Sequence, residues 1–209
     1  MGLGKTIEAG LILRELKLRG RAHRILIVAP KGLAGQWVAE METHIQEQFE
    51  LVLPAELASR RQSGAHHDVW RQFDQVVTSM DSVKPLTSRE GWSAQHVARH
   101  NRDRFEGVVQ AGWDLIIVDE AHRLAGATVD VARYTLGRGL ASAARHLLLL
   151  SATPHSGKPD AFHRLMALLD ERAFPTPALV GRDRVLPYVV RTEKRDACDA
   201  DGKPLFQPR

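Results

Sequence analysis

Residues 115–122 have the sequence LIIVDEAH, a short apolar run that ends in two adjacent acids. Four consecutive aliphatic residues without polar alternation are typical of a strand buried on both faces, as in parallel sheets covered by helices. Asp119 and Glu120 then fall at the carboxyl end of this strand, where open α/β sheets bind ligands. Alone, the acidic pair is a weak signal, because any loop between a strand and a helix can carry acids.

Similar apolar runs alternate with helix-like stretches along the chain. The other predicted strands are Ile25–Ala29, Gln75–Thr78, Leu147–Leu150 and, more weakly because Pro54 stops it, Glu50–Leu53. The predicted helices are Lys5–Arg19, in which Gly10 is expected to permit close packing, Leu33–Gln48, and one that starts at Pro159 and carries a core stripe of Phe162, Leu165, Met166 and Leu169. This alternation predicts an α/β fold, with a mainly parallel sheet and helices on both faces.

The chain opens inside a glycine-rich segment, Gly2-Leu3-Gly4-Lys5-Thr6. It is the downstream half of the pattern G-x-x-x-x-G-K-[ST], whose first position would lie upstream of Met1. Such a segment directs backbone N–H groups at a helix N-terminus toward phosphates. Its lysine reaches the outer phosphates and its threonine hydroxyl binds Mg²⁺. The segment therefore predicts a site for ATP or another nucleoside triphosphate.

The acidic pair strengthens this prediction. Asp119 can hold Mg²⁺, and Glu120 can orient and deprotonate the attacking water for an in-line displacement. The glycine-rich segment and the acids are far apart in sequence, and their combination is a much stronger signal than either one.

A third set of polar residues follows the last predicted strand: Ser151-Ala152-Thr153-Pro154. Small hydroxyl residues beside hydrolytic carboxylates can hydrogen-bond to them and sense the γ-phosphate. The alternative is a simple turn that leads into the helix at Pro159.

Composition sets wider limits. With 209 residues and 44% hydrophobic content, we expect one soluble domain. No apolar run is long enough to span a membrane, and the single Cys198 and the pair His66–His67 lack zinc-site spacing. A net charge of +4 permits nucleic-acid binding without requiring it. An intracellular location is expected.

Two stretches differ from the rest. Residues 84–112 are polar and rich in Arg and His, which indicates an insertion or an extended surface helix. Arg99, Arg102 and Arg104 could contact phosphates there, although a solvated helix face is the favoured interpretation. Residues 174–209 are rich in proline and are interpreted as an irregular exit segment from a lobe that comprises residues 1–173.

Five segments occur together in a familiar order: MGLGKTIEAGLIL, LIVAPKGLAGQW, VTSMDSVK, WDLIIVDEAHRLAG and LLLLSATPHSGKPDAFHRLMALLDE. They resemble the first motor lobe of helicase superfamily two, and more closely the Swi/Snf-type double-stranded DNA translocases, including the bacterial RapA-like group. The resemblance spans essentially the whole chain. It implies a RecA-like P-loop NTPase lobe that uses ATP and Mg²⁺ and moves along the double-stranded DNA backbone.

The resemblance also assigns roles to residues. Gly2, Gly4, Lys5 and Thr6 resemble motif I, which binds phosphates and Mg²⁺, while Asp119, Glu120 and His122 resemble motif II. The nucleic-acid-tracking motifs Ia and Ib correspond to Pro30, Lys31, Gln36, Trp37, Ser79 and Asp81. Motif III, which couples hydrolysis to movement, corresponds to Ser151, Ala152 and Thr153.

The sequence departs from the family in what it lacks. The strand before the glycine-rich segment, the adenine-contacting motif and the second motor lobe are absent, and that lobe supplies the arginine finger, worth roughly 10³–10⁵ in rate. Arg191 and Arg195 are present, but nothing places them at the nucleotide. We therefore expect a fragment of a longer bacterial, nucleoid-associated ATPase that is nearly inactive alone. Its expected partners are DNA, the second lobe, and RNA polymerase or other DNA-bound complexes.

Three alternatives remain. A strand-separating DEAH-box helicase would carry the same acidic motif. A non-catalytic module would hold nucleotide or DNA without turnover. A small P-loop kinase or GTPase fits poorly, because it gives no account of the SATP segment or of Gln36-Trp37.

Overall fold

The centre of the fold is a five-stranded sheet in which every strand pairs in parallel, in the order β2-β3-β1-β4-β5. The structure is a computed structural model that describes residues 4–54, 57, 69–125, 131–153 and 159–191. The strands are β1 (Ile25–Ala29), β2 (Glu50–Leu51), β3 (Gln75–Ser79), β4 (Leu115–Val118) and β5 (His146–Leu149). The predicted α/β class with a parallel sheet is confirmed.

Helices cover both faces of this sheet. They are α1 (Lys5–Leu18), α2 (Ala34–Glu40), α3 (Met80–Val83), α4 (Ala94–Asn101), α5 (Gly107–Gln110), α6 (Val131–Ala143), α7 (Pro159–Leu169) and α8 (Arg182–Val185). A π-helical turn, Met41–Ile45, extends α2, and another, Arg102–Glu106, joins α4 to α5. Short 3₁₀ turns lie at Val69–Gln72, Ala121–Arg123 and Pro177–Leu179. Within the described ranges, no helix has both the length and the apolar character that crossing a membrane requires.

The side chains of β1 alternate between two apolar layers, one on each face of the sheet. Leu26 and Val28 join the layer formed with α3, α5, α6 and α7, and Ile25 and Ile27 join the layer formed with α1 and α2. Every residue of β1 and of β4 is buried. These central strands can be aliphatic throughout because neither of their faces meets water.

One carboxylate joins the amino ends of the two central strands. Asp114 Oδ2 accepts hydrogen bonds from the backbone N–H groups of His23 and Arg24, each at 2.9 Å. Burial alone would raise the pKa of Asp114, but these two hydrogen bonds and the charges of His23 and Arg145 outweigh it and lower the pKa. The guanidinium of Arg24 also lies 5.0 Å from the ring centroid of Trp113.

Most sequence-based boundaries are close to those observed, and the differences have local causes. The second helix ends at Ile45 instead of Gln48, because Gln46 has a left-handed backbone (φ 60°) that stops the helix. At the edge of the sheet, β2 is only Glu50–Leu51, and β5 begins one residue earlier than predicted, because His146 pairs with Leu115.

Gly10 lies where α1 approaches the turn after α2. A Cβ atom on Gly10 would lie 2.3 Å from Ile45 Cδ1, so the two segments pack more closely than a larger residue allows. The expected close packing at Gly10 is confirmed. In α7, Phe162, Leu165 and Met166 are buried as predicted, whereas Leu169, the fourth residue of the predicted stripe, is only partly buried.

The stretch 84–112 contains α4, the following π-helical turn and α5, and no residue of α4 is fully buried. Trp92 lies beside α4 with its ring edge-on to His100 at 5.3 Å, and Arg89 stacks over that ring at 4.4 Å.

Candidate functional site

The start of α1 and the ends of β4 and β5 meet at the carboxyl edge of the sheet. Gly4 has a left-handed backbone (φ 77°) and directly precedes α1, so Lys5 and Thr6 lie in the first helical turn. Gly4 is exposed, whereas Lys5 and Thr6 are partly buried. Gly2 and Leu3, also predicted to contact phosphates, lie outside the described residues.

Lys5 reaches both acids that follow β4. Its Nζ lies 2.9 Å from Glu120 Oε1 and 3.6 Å from Asp119 Oδ1, although 115 residues separate Lys5 from Glu120 in sequence. The side chains are only partly accessible, at 21% for Lys5 and 23% for Glu120. The site therefore offers a positive charge, on Lys5, to a bound polyanion and negative charges, on Asp119 and Glu120, to its metal ion.

Asp119 has partners for both of its oxygens. Oδ1 accepts a hydrogen bond from the backbone N–H of Glu120 at 2.8 Å, and Oδ2 accepts one from the indole Nε1 of Trp37 at 3.0 Å. The residue is 5% exposed. Its carboxylate therefore has a fixed orientation instead of rotating in solvent.

Glu120 adopts a left-handed backbone conformation, with φ 49° and ψ 44°. This region is sparsely populated by residues other than glycine, asparagine and aspartate, and such conformations concentrate at functional sites. The conformation begins the 3₁₀ turn at Ala121, whose N–H donates to the carbonyl oxygen of Leu150 at 2.8 Å. The acidic turn is thus tied directly to the end of β5.

His122 connects the acids to Ser151. Its Nδ1 lies 3.1 Å from Glu120 Oε2 and 3.1 Å from Ser151 Oγ. The same hydroxyl accepts a hydrogen bond from the backbone N–H of Thr153 at 3.2 Å. Ala152 and Thr153 are exposed, and Pro154 lies outside the described residues.

The six residues predicted to track nucleic acid do not form one surface. Lys31 and Gln36 are exposed after β1, whereas Pro30 is buried. Trp37 is 3% exposed and donates its indole N–H to Asp119, so it is buried in the lobe and presents almost no surface. The spacing of Ala34, Trp37, Met41 and Ile45, all buried, is a helical core pattern that could have indicated this from the sequence.

The two predicted contacts after β3 are also occupied within the lobe. Ser79 is 1% exposed, and its Oγ caps α3 by accepting a hydrogen bond from the backbone N–H of Ser82 at 3.2 Å. The hydroxyl of Ser79 therefore serves as a buried helix cap in this structure.

Asp81 is exposed, but its carboxylate is paired with Lys84 at 3.1 Å and with Arg133 at 3.6 Å. Partial burial would raise the pKa of Asp81. The hydrogen bond from Lys84 and the charges of Lys84 and Arg133 outweigh this effect and lower the pKa. The group is therefore an anion at neutral pH, which does not attract phosphate.

The residues present fit a magnesium ion. Mg²⁺ prefers oxygen ligands and is commonly held by one or two carboxylates together with substrate phosphates, not by a dedicated protein cage. Asp119 offers a carboxylate. Thr6, which offers a hydroxyl, directly follows in sequence the lysine that reaches Asp119. Across the described part of the chain, no group of three or more His, Cys, Asp or Glu side chains is arranged to hold a metal ion.

Three solved structures have the same fold. The Sulfolobus solfataricus SWI2/SNF2 ATPase core in complex with dsDNA is 17% identical, with a TM-score of 0.61 over 86% of this chain and 32% of that chain. The Sulfolobus solfataricus SWI2/SNF2 ATPase core domain is 16% identical, with a TM-score of 0.59 over 86% of this chain and 31% of that one. The Pyrococcus furiosus Hef helicase domain is 20% identical, with a TM-score of 0.53 over 80% and 31%.

At these identities the likeness shows the fold, which is that of a RecA-like lobe of a SNF2-type ATPase core. The chain spans about a third of the length of the structures it matches. The family model of the SNF2-related domain matches residues 1–198, which is most of the sequence. The chain therefore belongs to the SNF2-related domain family.

Proposed function

We propose that this chain is the ATP-binding lobe of a motor that couples ATP hydrolysis to movement along double-stranded DNA. The observation that carries the proposal is the contact of Lys5 with Asp119 and Glu120 at the carboxyl edge of the sheet. Membership of the SNF2-related family supports a helicase-like ATPase. We assign the lobe to residues 1–173 and an exit segment to residues 174–209.

The residues divide the chemistry among them. The Lys5 ammonium holds the outer phosphates, with backbone N–H groups at the start of α1 completing the cradle. Asp119 and Thr6 hold Mg²⁺, which neutralises charge on the transferred phosphoryl group when bound. Glu120 orients the attacking water and accepts its proton. Because His122 touches both Glu120 and Ser151, it relays the state of the hydrolytic site to the segment after β5.

Double-stranded DNA is the partner that the comparisons support, since a SWI2/SNF2 core of the same fold was solved in complex with dsDNA. Exposed Lys31 and Gln36 are the donors of this lobe that we assign to the DNA backbone. The sequences of the segments MGLGKTIEAG and SATPHSGK favour a Swi/Snf-type translocase of the RapA-like bacterial group over a strand-separating helicase. Movement would then act on RNA polymerase or another DNA-bound complex, with a second lobe closing over the nucleotide.

The test compares two substitutions in the natural polypeptide that carries this chain. We expect Lys5→Ala to lose ATP binding, because the phosphate contact is removed. We expect Glu120→Gln to retain ATP binding and to lower turnover by at least about a hundredfold, because the amide cannot accept the proton. Equilibrium binding of a fluorescent ATP analogue and phosphate release are the measurements.

The same experiment separates the alternatives. Unchanged turnover in Glu120→Gln would refute the hydrolytic role of Glu120, and nucleotide binding without turnover in the wild type would identify a non-catalytic module. Displacement of a triplex strand without separation of the duplex would support translocation, whereas duplex separation would identify a helicase.

A further inference from the structure

The indole of Trp37 forms a buried hydrogen bond to the carboxylate that we assign to Mg²⁺. The distance from Nε1 to Asp119 Oδ2 is 3.0 Å, and the two residues are separated by 82 positions in sequence. Trp37 is 3% exposed and Asp119 is 5% exposed. If the indole N–H is removed, water therefore has little access to Asp119 Oδ2 and does not readily replace it as the donor.

The two oxygens of the Asp119 carboxylate accept hydrogen bonds from different donors. Oδ1 is engaged by the backbone N–H of Glu120 at 2.8 Å and faces Lys5 Nζ at 3.6 Å. The indole is the donor on Oδ2, so the two hydrogen bonds together fix the plane of the carboxylate. Without the indole, rotation about the Cβ–Cγ bond would be restrained from one side only.

The position of the ring is set by the turn that follows β1. The backbone N–H of Leu33 donates to the carbonyl oxygen of Pro30 at 2.8 Å, and that of Trp37 donates to the carbonyl oxygen of Leu33 at 2.9 Å. The ring itself packs in the apolar layer beside Ala34 and Met41. The donor is thus held by a rigid helical turn, as a group that orients a metal ligand must be.

We propose that Trp37 is a positioning residue that holds Asp119 in the orientation required for Mg²⁺. The proposal rests on the proposed function, because it assumes that Asp119 is a metal ligand. It replaces the nucleic-acid contact that the sequence suggested for this residue. Trp37 touches neither nucleotide nor metal and acts only through Asp119.

The decisive variants remove the indole N–H while keeping the ring. Trp37→Phe does so genetically, and site-specific incorporation of β-(3-benzothienyl)alanine at position 37 does so without loss of volume. A matched control is Trp113→Phe. Trp113 is 2% exposed, and its Nε1 donates to the Val108 carbonyl oxygen at 2.8 Å, in the apolar layer on the other face of the sheet.

Binding of a fluorescent ATP analogue to the natural polypeptide is measured as a function of Mg²⁺ concentration, and the concentration that gives half of the maximal binding is compared between variants. Thermal unfolding is followed in parallel. We expect both position-37 variants to require about tenfold more Mg²⁺, an effect typical of losing a group that orients a metal ligand. Binding measured in EDTA should be unchanged. Trp113→Phe should lower the unfolding temperature without changing the Mg²⁺ requirement.

The outcomes distinguish this proposal from the one on which it rests. A wild-type protein whose nucleotide binding ignores Mg²⁺ would overturn the proposed function together with the role of Trp37. A Mg²⁺-dependent wild type with an unchanged Mg²⁺ requirement in the benzothienyl variant would overturn the positioning role alone. If Trp37→Phe fails to fold, the benzothienyl variant decides.

Discussion

At the scale of single residues, the site combines partly accessible charged groups with buried hydrogen-bond partners. Glu120 occupies a left-handed backbone conformation that a residue with a Cβ rarely adopts, and Asp119 beside it is almost inaccessible. Such strain persists only where the surrounding contacts over-determine it. Here the bond from Ala121 N to Leu150 O, at 2.8 Å, supplies part of that constraint.

Asp114, at the opposite end of β4, permits a test of acid stability. Its lowered pKa means that the folded state favours the carboxylate, so the stabilisation is present above the unfolded pKa of about 3.9 and is lost as pH falls through the folded value. We expect Asp114→Ala to lower the free energy of unfolding at pH 7 by about 2 kcal/mol. Urea denaturation at several pH values measures this.

Asp114→Asn is the matched control, because its amide oxygen can still accept from the His23 and Arg24 N–H groups while carrying no charge. We expect a smaller loss at pH 7, and the difference from wild type should shrink as pH falls below about 3.9. A difference that is constant from neutral to acidic pH would contradict the electrostatic part of the argument.

At the scale of elements, the packing of α1 on the turn after α2 depends on the missing side chain of Gly10. A Cβ atom there would lie 2.3 Å from Ile45 Cδ1, and Ile45 is itself 3% exposed. Alanine gains about 1 kcal/mol in helix propensity over glycine, but overpacking costs about 1–3 kcal/mol. The clash should win because Ile45 Cγ1 would also lie 2.4 Å from that Cβ, so rotation of the terminal Cδ1 methyl alone does not relieve it.

We therefore expect Gly10→Ala to destabilise the chain by about 1 kcal/mol, as measured by urea denaturation. Gly35→Ala in α2 is the control, since a Cβ at Gly35 meets no atom within 4 Å. This control should stabilise the chain by up to about 1 kcal/mol. Equal effects of the two substitutions would show that propensity, not the contact with Ile45, governs both positions.

The elements also show why some features were predictable. The aliphatic runs of β1 and β4 are bounded by Pro30 and Asp119, so their ends can be read directly from residue types. The end of the second helix depends on the left-handed Gln46 and on a bond from Glu47 N to Met41 O at 3.1 Å, which residue types do not encode.

The same distinction applies to the site. Lys5, Asp119 and Glu120 could be assigned because a glycine-rich segment and an acidic strand end are chemically distinctive. The burial of Trp37 could be inferred from the spacing of the apolar residues in its helix, but its partner could not, because Trp37 and Asp119 are 82 positions apart in sequence and only the fold brings them together. Ser79 was likewise assigned from a motif, whereas its hydroxyl is used to cap α3.

At the scale of the whole molecule, binding to DNA through backbone contacts should depend on salt more than on sequence. Each phosphate neutralised by a lysine releases counterions, so the logarithm of the affinity falls linearly with the logarithm of salt concentration. We expect Lys31→Ala to reduce that slope by about 1 in titrations of the natural polypeptide with duplex DNA.

Arg19→Ala is the control for this measurement. Arg19 follows the last residue of α1, is exposed and is paired with Glu15. It lies away from the carboxyl edge that carries Lys31. Its removal should leave the slope unchanged. A strong preference for one base sequence, or equal slopes for the wild type and Lys31→Ala, would contradict the assignment of Lys31 to the DNA backbone.

The separation of the site residues along the chain also governs when the site can form. The Lys5–Glu120 contact spans 115 positions and the Trp37–Asp119 bond spans 82. Closing such long loops costs chain entropy before any contact repays it, and parallel pairing is slow for the same reason. At about 5–20 residues per second, the ribosome releases Lys5 on the order of ten seconds before its acidic partners. A nascent chain should therefore be unable to bind nucleotide until β4 has emerged and paired with β1, which makes nucleotide binding a late reporter of folding.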